Sequence, residues 1–184
     1  GSSVAVRDVT IGDFDGANGN DVAFTGGVGD DIMQFSSNDG DGTFTSKSQV
    51  TFDESTFSVG VIKAFDVDDD GDDDVVAFCT AAGTCGTDEV AYLKSDGAWG
   101  WTEISVANIN FIQIMDAVVS DFDGDGDGDM ALVANGDVGS ASEEVYTIDN
   151  DGSGAGDFTV VTESNFADGN LVVNAIVVMD VDNV

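Results

Sequence analysis

Histidine and proline are absent from the 184 residues. Without histidine the chain lacks the one side chain whose ordinary pKa suits general-base work near neutrality, so catalysis finds little support. No Gly-x-Ser-x-Gly nucleophile elbow is present either. Positive charge is scarce: only Arg7, Lys47, Lys63 and Lys94 oppose 37 acidic residues, giving a net charge of −33. Repulsion on that scale excludes nucleic acid and anionic membranes as natural partners. No apolar run reaches the roughly 18 residues of a membrane helix, so membrane insertion is not expected. No signal peptide is visible, and a chain opening Gly1-Ser2-Ser3 is expected to be a processed product or a piece of a longer protein. Cysteine is nearly absent too. Cys79 and Cys85 bracket a short turn between strand-like runs. A disulfide across the mouth of that hairpin would imply an oxidising compartment; two free thiols are the alternative. Two cysteines without histidine do not make a zinc site.

What the chain has is aspartate, in a pattern. Asp121-Phe122-Asp123-Gly124-Asp125-Gly126-Asp127-Gly128-Asp129 carries carboxylates at positions 1, 3, 5 and 9 and glycine at position 6. Oxygen-rich loops of this kind bind a hard cation, usually calcium, which takes about 6–8 oxygens at roughly 2.3–2.6 Å. Asp121, Asp123 and Asp125 each offer a carboxylate, the Asp127 carbonyl turns inward, and Asp129 closes the cage. Gly126 supplies the sharp turn, because a residue without Cβ enters left-handed conformations at little cost. Asp66-Val67-Asp68-Asp69-Asp70-Gly71-Asp72-Asp73-Asp74 repeats the pattern, offering Asp66, Asp68, Asp70, the Asp72 carbonyl and Asp74. A degenerate copy runs from Asp13 through Asp15 and Gly19 to Asp21, with Ala17 where a carboxylate belongs and Asn18 where glycine belongs. Asp180-Val181-Asp182-Asn183 begins a fourth. First positions at 13, 66, 121 and 180 give spacings of 53, 55 and 59, the mark of a repeat architecture. An acidic surface turn explains one such loop but not its recurrence. Two strong calcium sites and one weaker are expected. An EF-hand is excluded: position 12 is Phe24, Ala77 or Leu132 rather than glutamate, and the flanks read as strands.

Between the loops the chain is apolar enough to fold, at 42% hydrophobic. No stretch shows a helical stripe, and glycine and aspartate punctuate short runs as in all-β folds. The first unit reads as strands at 4–11, 21–25, 31–36 and 43–52, the second at 57–65, 75–79, 89–93 and 99–106. The third gives 111–120, 130–133, 144–148 and 158–162, and 171–179 opens a fourth. Turns near 38, 95 and 149 keep the loop period, so two features agree on a four-stranded unit. The expected fold is all-β: a single repeat domain of tandem four-stranded antiparallel blades at about 4–52, 57–106 and 111–162, with the start of another at 171–184.

The loop at 121–129 with Met130-Ala131-Leu132-Val133 after it, and Asn38-Asp39-Gly40-Asp41-Gly42-Thr43-Phe44 later in a unit, resemble FG-GAP-like (VCBS) repeats. These are the blades of calcium-binding β-propellers, similar to the head of integrin α subunits. The resemblance spans essentially the whole chain and implies a propeller, or an open part of one, with calcium between the first two strands of each blade. It implies as ligands Asp66, Asp68, Asp70, Asp72 and Asp74, then Asp121, Asp123, Asp125, Asp127 and Asp129. It also implies an extracellular setting, in adhesion proteins or as appendages of secreted enzymes. Without proline the chain lacks the Gly-Ala-Pro element of the strict family and matches the looser class.

The expected function is an extracellular calcium-binding structural or adhesive module, either part of a larger propeller or a subunit of a surface fibre or lattice. Its partners would be calcium and further blades or chains. The alternative is a non-catalytic propeller fragment of a secreted carbohydrate-active or carbohydrate-binding protein. Trp99 and Trp101 would then contact glycan, though blade packing explains them equally well.

Overall fold

The structure, a computed structural model, describes residues 5–26, 32–52, 58–80, 90–107, 111–125, 127–137, 143–151, 158–165 and 175–178. It is all-β, with no helix among the described residues. The first sheet holds β1 (Val6–Gly12), β2 (Asp21–Gly26), β3 (Ile32–Asn38) and β4 (Phe44–Thr51). The second holds β5 (Val59–Phe65), β6 (Asp74–Cys79), β7 (Val90–Ser95) and β8 (Trp101–Ala107). The third holds β9 (Phe111–Ser120), β10 (Asp129–Asp137), β11 (Glu143–Asn150) and β12 (Phe158–Asn165). Each sheet is an antiparallel meander in chain order. The strands follow the expected ones, with ends shifted by a few residues. The largest shift is at β10, which runs past Val133 because β9 is long enough to pair with it as far as Asp137↔Phe111.

Adjacent sheets pack face to face, and this explains the composition of the strands. All six residues of β6 are buried. Val75, Ala77 and Cys79 join a core with Phe14, Met33 and Phe35 of the first sheet, while Val76 and Phe78 join one with Met130, Leu132 and Ile148 of the third. A strand covered on both faces reads as a continuous apolar run rather than an alternating one. Each fully buried large side chain contributes roughly 1.5–3 kcal/mol. Trp99 and Trp101 belong to the first core: Trp101 stacks on Phe35 with centroids 4.0 Å apart, and both meet the edge of Phe14. Among the described residues the first sheet is covered on one face only. On its other face Val6, Val9, Ile11 and Phe44 are exposed. Their repeat equivalents in the second sheet, Val59, Ile62, Ala64 and Trp101, are packed into the first core.

Side chains of one first strand tie down the backbone of the next. Asp8 Oδ2 accepts the Ile62 amide at 2.9 Å, and Thr10 Oγ1 accepts that of Ala64 at 3.1 Å. Asp116 Oδ2 accepts the amide of Ile176 at 3.1 Å. Asp8 and Asp116 each precede their loops by five residues, and Ile62 and Ile176 precede Asp66 and Asp180 by four. Residues 175–178, though not themselves in a strand, therefore meet β9 as the repeat requires of a further first strand. The rest of the strand expected at 171–179, and the loop begun at Asp180, lie outside the described residues. No helix among the described residues is long and apolar enough to cross a membrane.

Candidate metal centres

Each aspartate loop joins the first and second strands of its sheet, and neighbouring loops touch. The Asp73 amide donates to the Asp13 carbonyl and the Asp13 amide to Asp73 Oδ2, both at 2.8 Å. Within a loop the chain coils tightly. Position 4 has positive φ in all three copies, at Gly16, Asp69 and Gly124. So does position 6 at Asn18 and Gly71; Gly126 lies outside the described residues. The first aspartate caps this coil. Asp13 Oδ1 accepts the Gly16 amide, Asp66 Oδ2 that of Gly71, and Asp121 Oδ1 that of Gly124, at 2.8, 2.9 and 2.7 Å.

Three groups of carboxylates converge: Asp13, Asp15 and Asp21; Asp66, Asp68 and Asp70; and Asp121, Asp123 and Asp129. In each, one oxygen per residue lies within 4.8 Å of the others. Two oxygens bound to one calcium at roughly 2.3–2.6 Å can be no more than about 5.2 Å apart, so each group can hold a metal ion. The donor sets are all oxygen, which suits a hard cation. Asp68 Oδ1 is buried without a hydrogen-bond partner, the kind of atom a cation would satisfy. Asp125 stands outside the third group, exposed, and its Oδ1 accepts the Asp127 amide at 3.1 Å. Gly19, the carbonyl candidate of the first loop, has φ +85.

The ninth position has a second task. Asp21, Asp74 and Asp129 are buried, and each spans its loop to the far end of the third strand. One oxygen accepts the amide of Phe14, Val67 or Phe122, at 3.0, 3.1 and 2.7 Å. The other accepts that of Asn38, Ser95 or Asn150, at 2.8, 2.7 and 3.0 Å. Asp74 also receives the Tyr92 hydroxyl at 3.0 Å and is not among the converging oxygens of its loop. Burial pushes Asp74 up to about 6 against these hydrogen bonds, and raises Asp21 for the same reason. Burial, then the Asp74 charge, holds the Tyr92 hydroxyl well above its ordinary value. Desolvation, then the Asp70 and Asp13 charges, raises Asp72; desolvation, then Asp125 and Asp69, raises Asp127.

The residue just before that strand end differs among the sheets, and spacing alone gave no reason to single it out. Ser37 Oγ reaches Asp15 Oδ2 at 3.4 Å. Lys94 Nζ pairs with Asp68 Oδ2 and lies 3.2 Å from Asp70 Oδ2. Asp149 lines a cavity with Asp123 and Asp129, and partial desolvation followed by those two charges raises its pKa. Aligning the repeats on their hairpin turns places the three together, but which partner each meets is a tertiary fact.

Cys79 is disulfide-bonded. The chain's one other cysteine, Cys85, lies outside the described residues. No protein-family model matches the chain, and no curated protein matches it; the likeness to FG-GAP-like repeats rests on the loops, the turns and their period.

Proposed function

We propose that the chain is an extracellular, non-catalytic module of FG-GAP-like blades whose loops calcium stiffens, serving a structural or adhesive role. The observation that carries this reading is the recurrence, once per sheet, of three carboxylates with oxygens within 4.8 Å of one another. The nine carboxylates gathered in this way repel one another unless a cation neutralises them. Calcium is favoured over magnesium because flexible carboxylate loops satisfy a variable coordination number, whereas magnesium demands a near-ideal octahedron and keeps its water. Disulfide-bonded Cys79 fits an oxidising compartment. The inter-sheet packing of Trp99 and Trp101 favours a structural module over a sugar-binding one.

The exposed face of the first sheet extends the proposal to partners. Val6, Val9, Ile11 and Phe44 stand at positions that the second sheet buries, so another blade fits there, from a longer chain or from a second copy. Titration calorimetry of metal-stripped protein tests the calcium reading. Calcium should bind in unequal steps, with affinities as weak as about 10⁻⁴–10⁻³ M, and more tightly than magnesium. Absence of calcium binding at millimolar concentration would sink it.

A further inference from the structure

We propose that Lys94 is the resident counter-cation of the second loop, and that a divalent cation enters this loop by displacing its ammonium group. The inference rests on the calcium reading above and concerns what regulates one of the three sites. Lys94 reaches from β7 across to the loop and engages two of its three converging carboxylates, Asp68 and Asp70. An ammonium is a compact point charge with three donors on a flexible stem, so it can neutralise the loop without completing a cage. The unfilled part is visible. The Asp68 side chain is 4% exposed, yet its Oδ1 has no partner. A calcium ion, drawing on about 6–8 oxygens, would satisfy it.

The other sheets show that the fold does not require a lysine there. The same repeat position is Ser37 in the first sheet, neutral and touching Asp15, and Asp149 in the third, an added carboxylate beside Asp123 and Asp129. The three loops are thus graded by one position. The third gains a negative charge, the first is unmodified, and the second carries its own competitor. Sequence spacing ranks the second loop with the third; Lys94 separates them. Lys94 is about one-third exposed, so its head has an open route to water when a divalent ion arrives. Between calcium exposures the lysine holds the second loop in its bound-like coil.

Calcium calorimetry on the full chain and on Lys94→Ser, which installs the first sheet's solution, tests the proposal. The variant should tighten one step by about two- to fivefold, the scale of a partly exposed ion pair removed from competition. Its metal-free form should melt lower than the metal-free natural chain. A second readout uses the natural protein. With only Lys47, Lys63 and Lys94 to resolve, side-chain NMR should show one lysine changing environment as calcium is added. Unchanged steps in Lys94→Ser, a weakened step, or lysine signals indifferent to calcium would each overturn the proposal while leaving calcium binding intact. Failure of both proteins to bind calcium would instead remove the reading beneath it.

Discussion

Asp21, Asp74 and Asp129 combine two tasks that spacing does not distinguish. A carboxylate offers about four lone-pair directions, and two of them here hold backbone amides, one from the second position of its own loop and one from the end of the third strand. The sequence showed the carboxylate at position 9, since only charge and period were needed. It did not show that both oxygens are engaged by the fold, because the partners at Asn38, Ser95 and Asn150 lie 17–21 residues away. Position 4 was missed similarly: Asp69 adopts the left-handed conformation of Gly16 and Gly124 without being glycine. The raised pKa of Asp74 makes a signed prediction for the metal-free protein. Its folded value of about 6 exceeds the unfolded one, so the folded state binds the extra proton between about pH 4 and 6. Stability should therefore rise as pH falls through 6, by on the order of 2 kcal/mol. In calcium the trend should reverse, as protons compete for the ligands. Melting scans from pH 7.5 to 5 check this, and a metal-free protein that loses stability over that range contradicts it.

At the scale of elements, the strands were legible because turn residues and loops bracket nearly every one; that β6 is buried on both faces is seen only in the packed sheets. Which face meets which neighbour was not legible, since each junction is fitted differently. Gly12 leaves room for Asp73 of the second loop, whereas at the next junction Phe65 fills the space that Gly128 leaves; a Cβ on either glycine would lie within about 3 Å of those side chains. Position 2 of the loops shows the same dependence on neighbours. Phe14 is fully buried under Phe35, Trp99 and Trp101, while Phe122 in the third sheet is 43% exposed. Phe14→Ala should cost about 3–5 kcal/mol, and Phe122→Ala less than about 1 kcal/mol. Urea unfolding of the two variants measures the contrast, and equal losses would contradict the packing order.

For the whole molecule, three acidic loops adjoin along one edge of the sheet series. Asp72 of the second loop feels Asp13 of the first, and Asp127 of the third feels Asp69 of the second. Charge of this density keeps a chain apart from its copies at low salt, yet the first sheet presents an uncovered apolar face. Neutralising the loops should let that face associate, so sedimentation in calcium should show assemblies that Ile11→Lys abolishes. A monomer at all calcium concentrations would contradict this. The claim on which the rest depends is that calcium holds the loops in their folded coil. Thermal melting in excess chelator, and again after calcium is restored, tests it most directly. A ligand at a hundred times its Kd stabilises by about 2.7 kcal/mol per site, and each kcal/mol is worth about 2–4 °C at this chain length. The expected result is a melting temperature at least about 5 °C lower in chelator and recovered by calcium; an identical curve in both would show that the loops stand without metal.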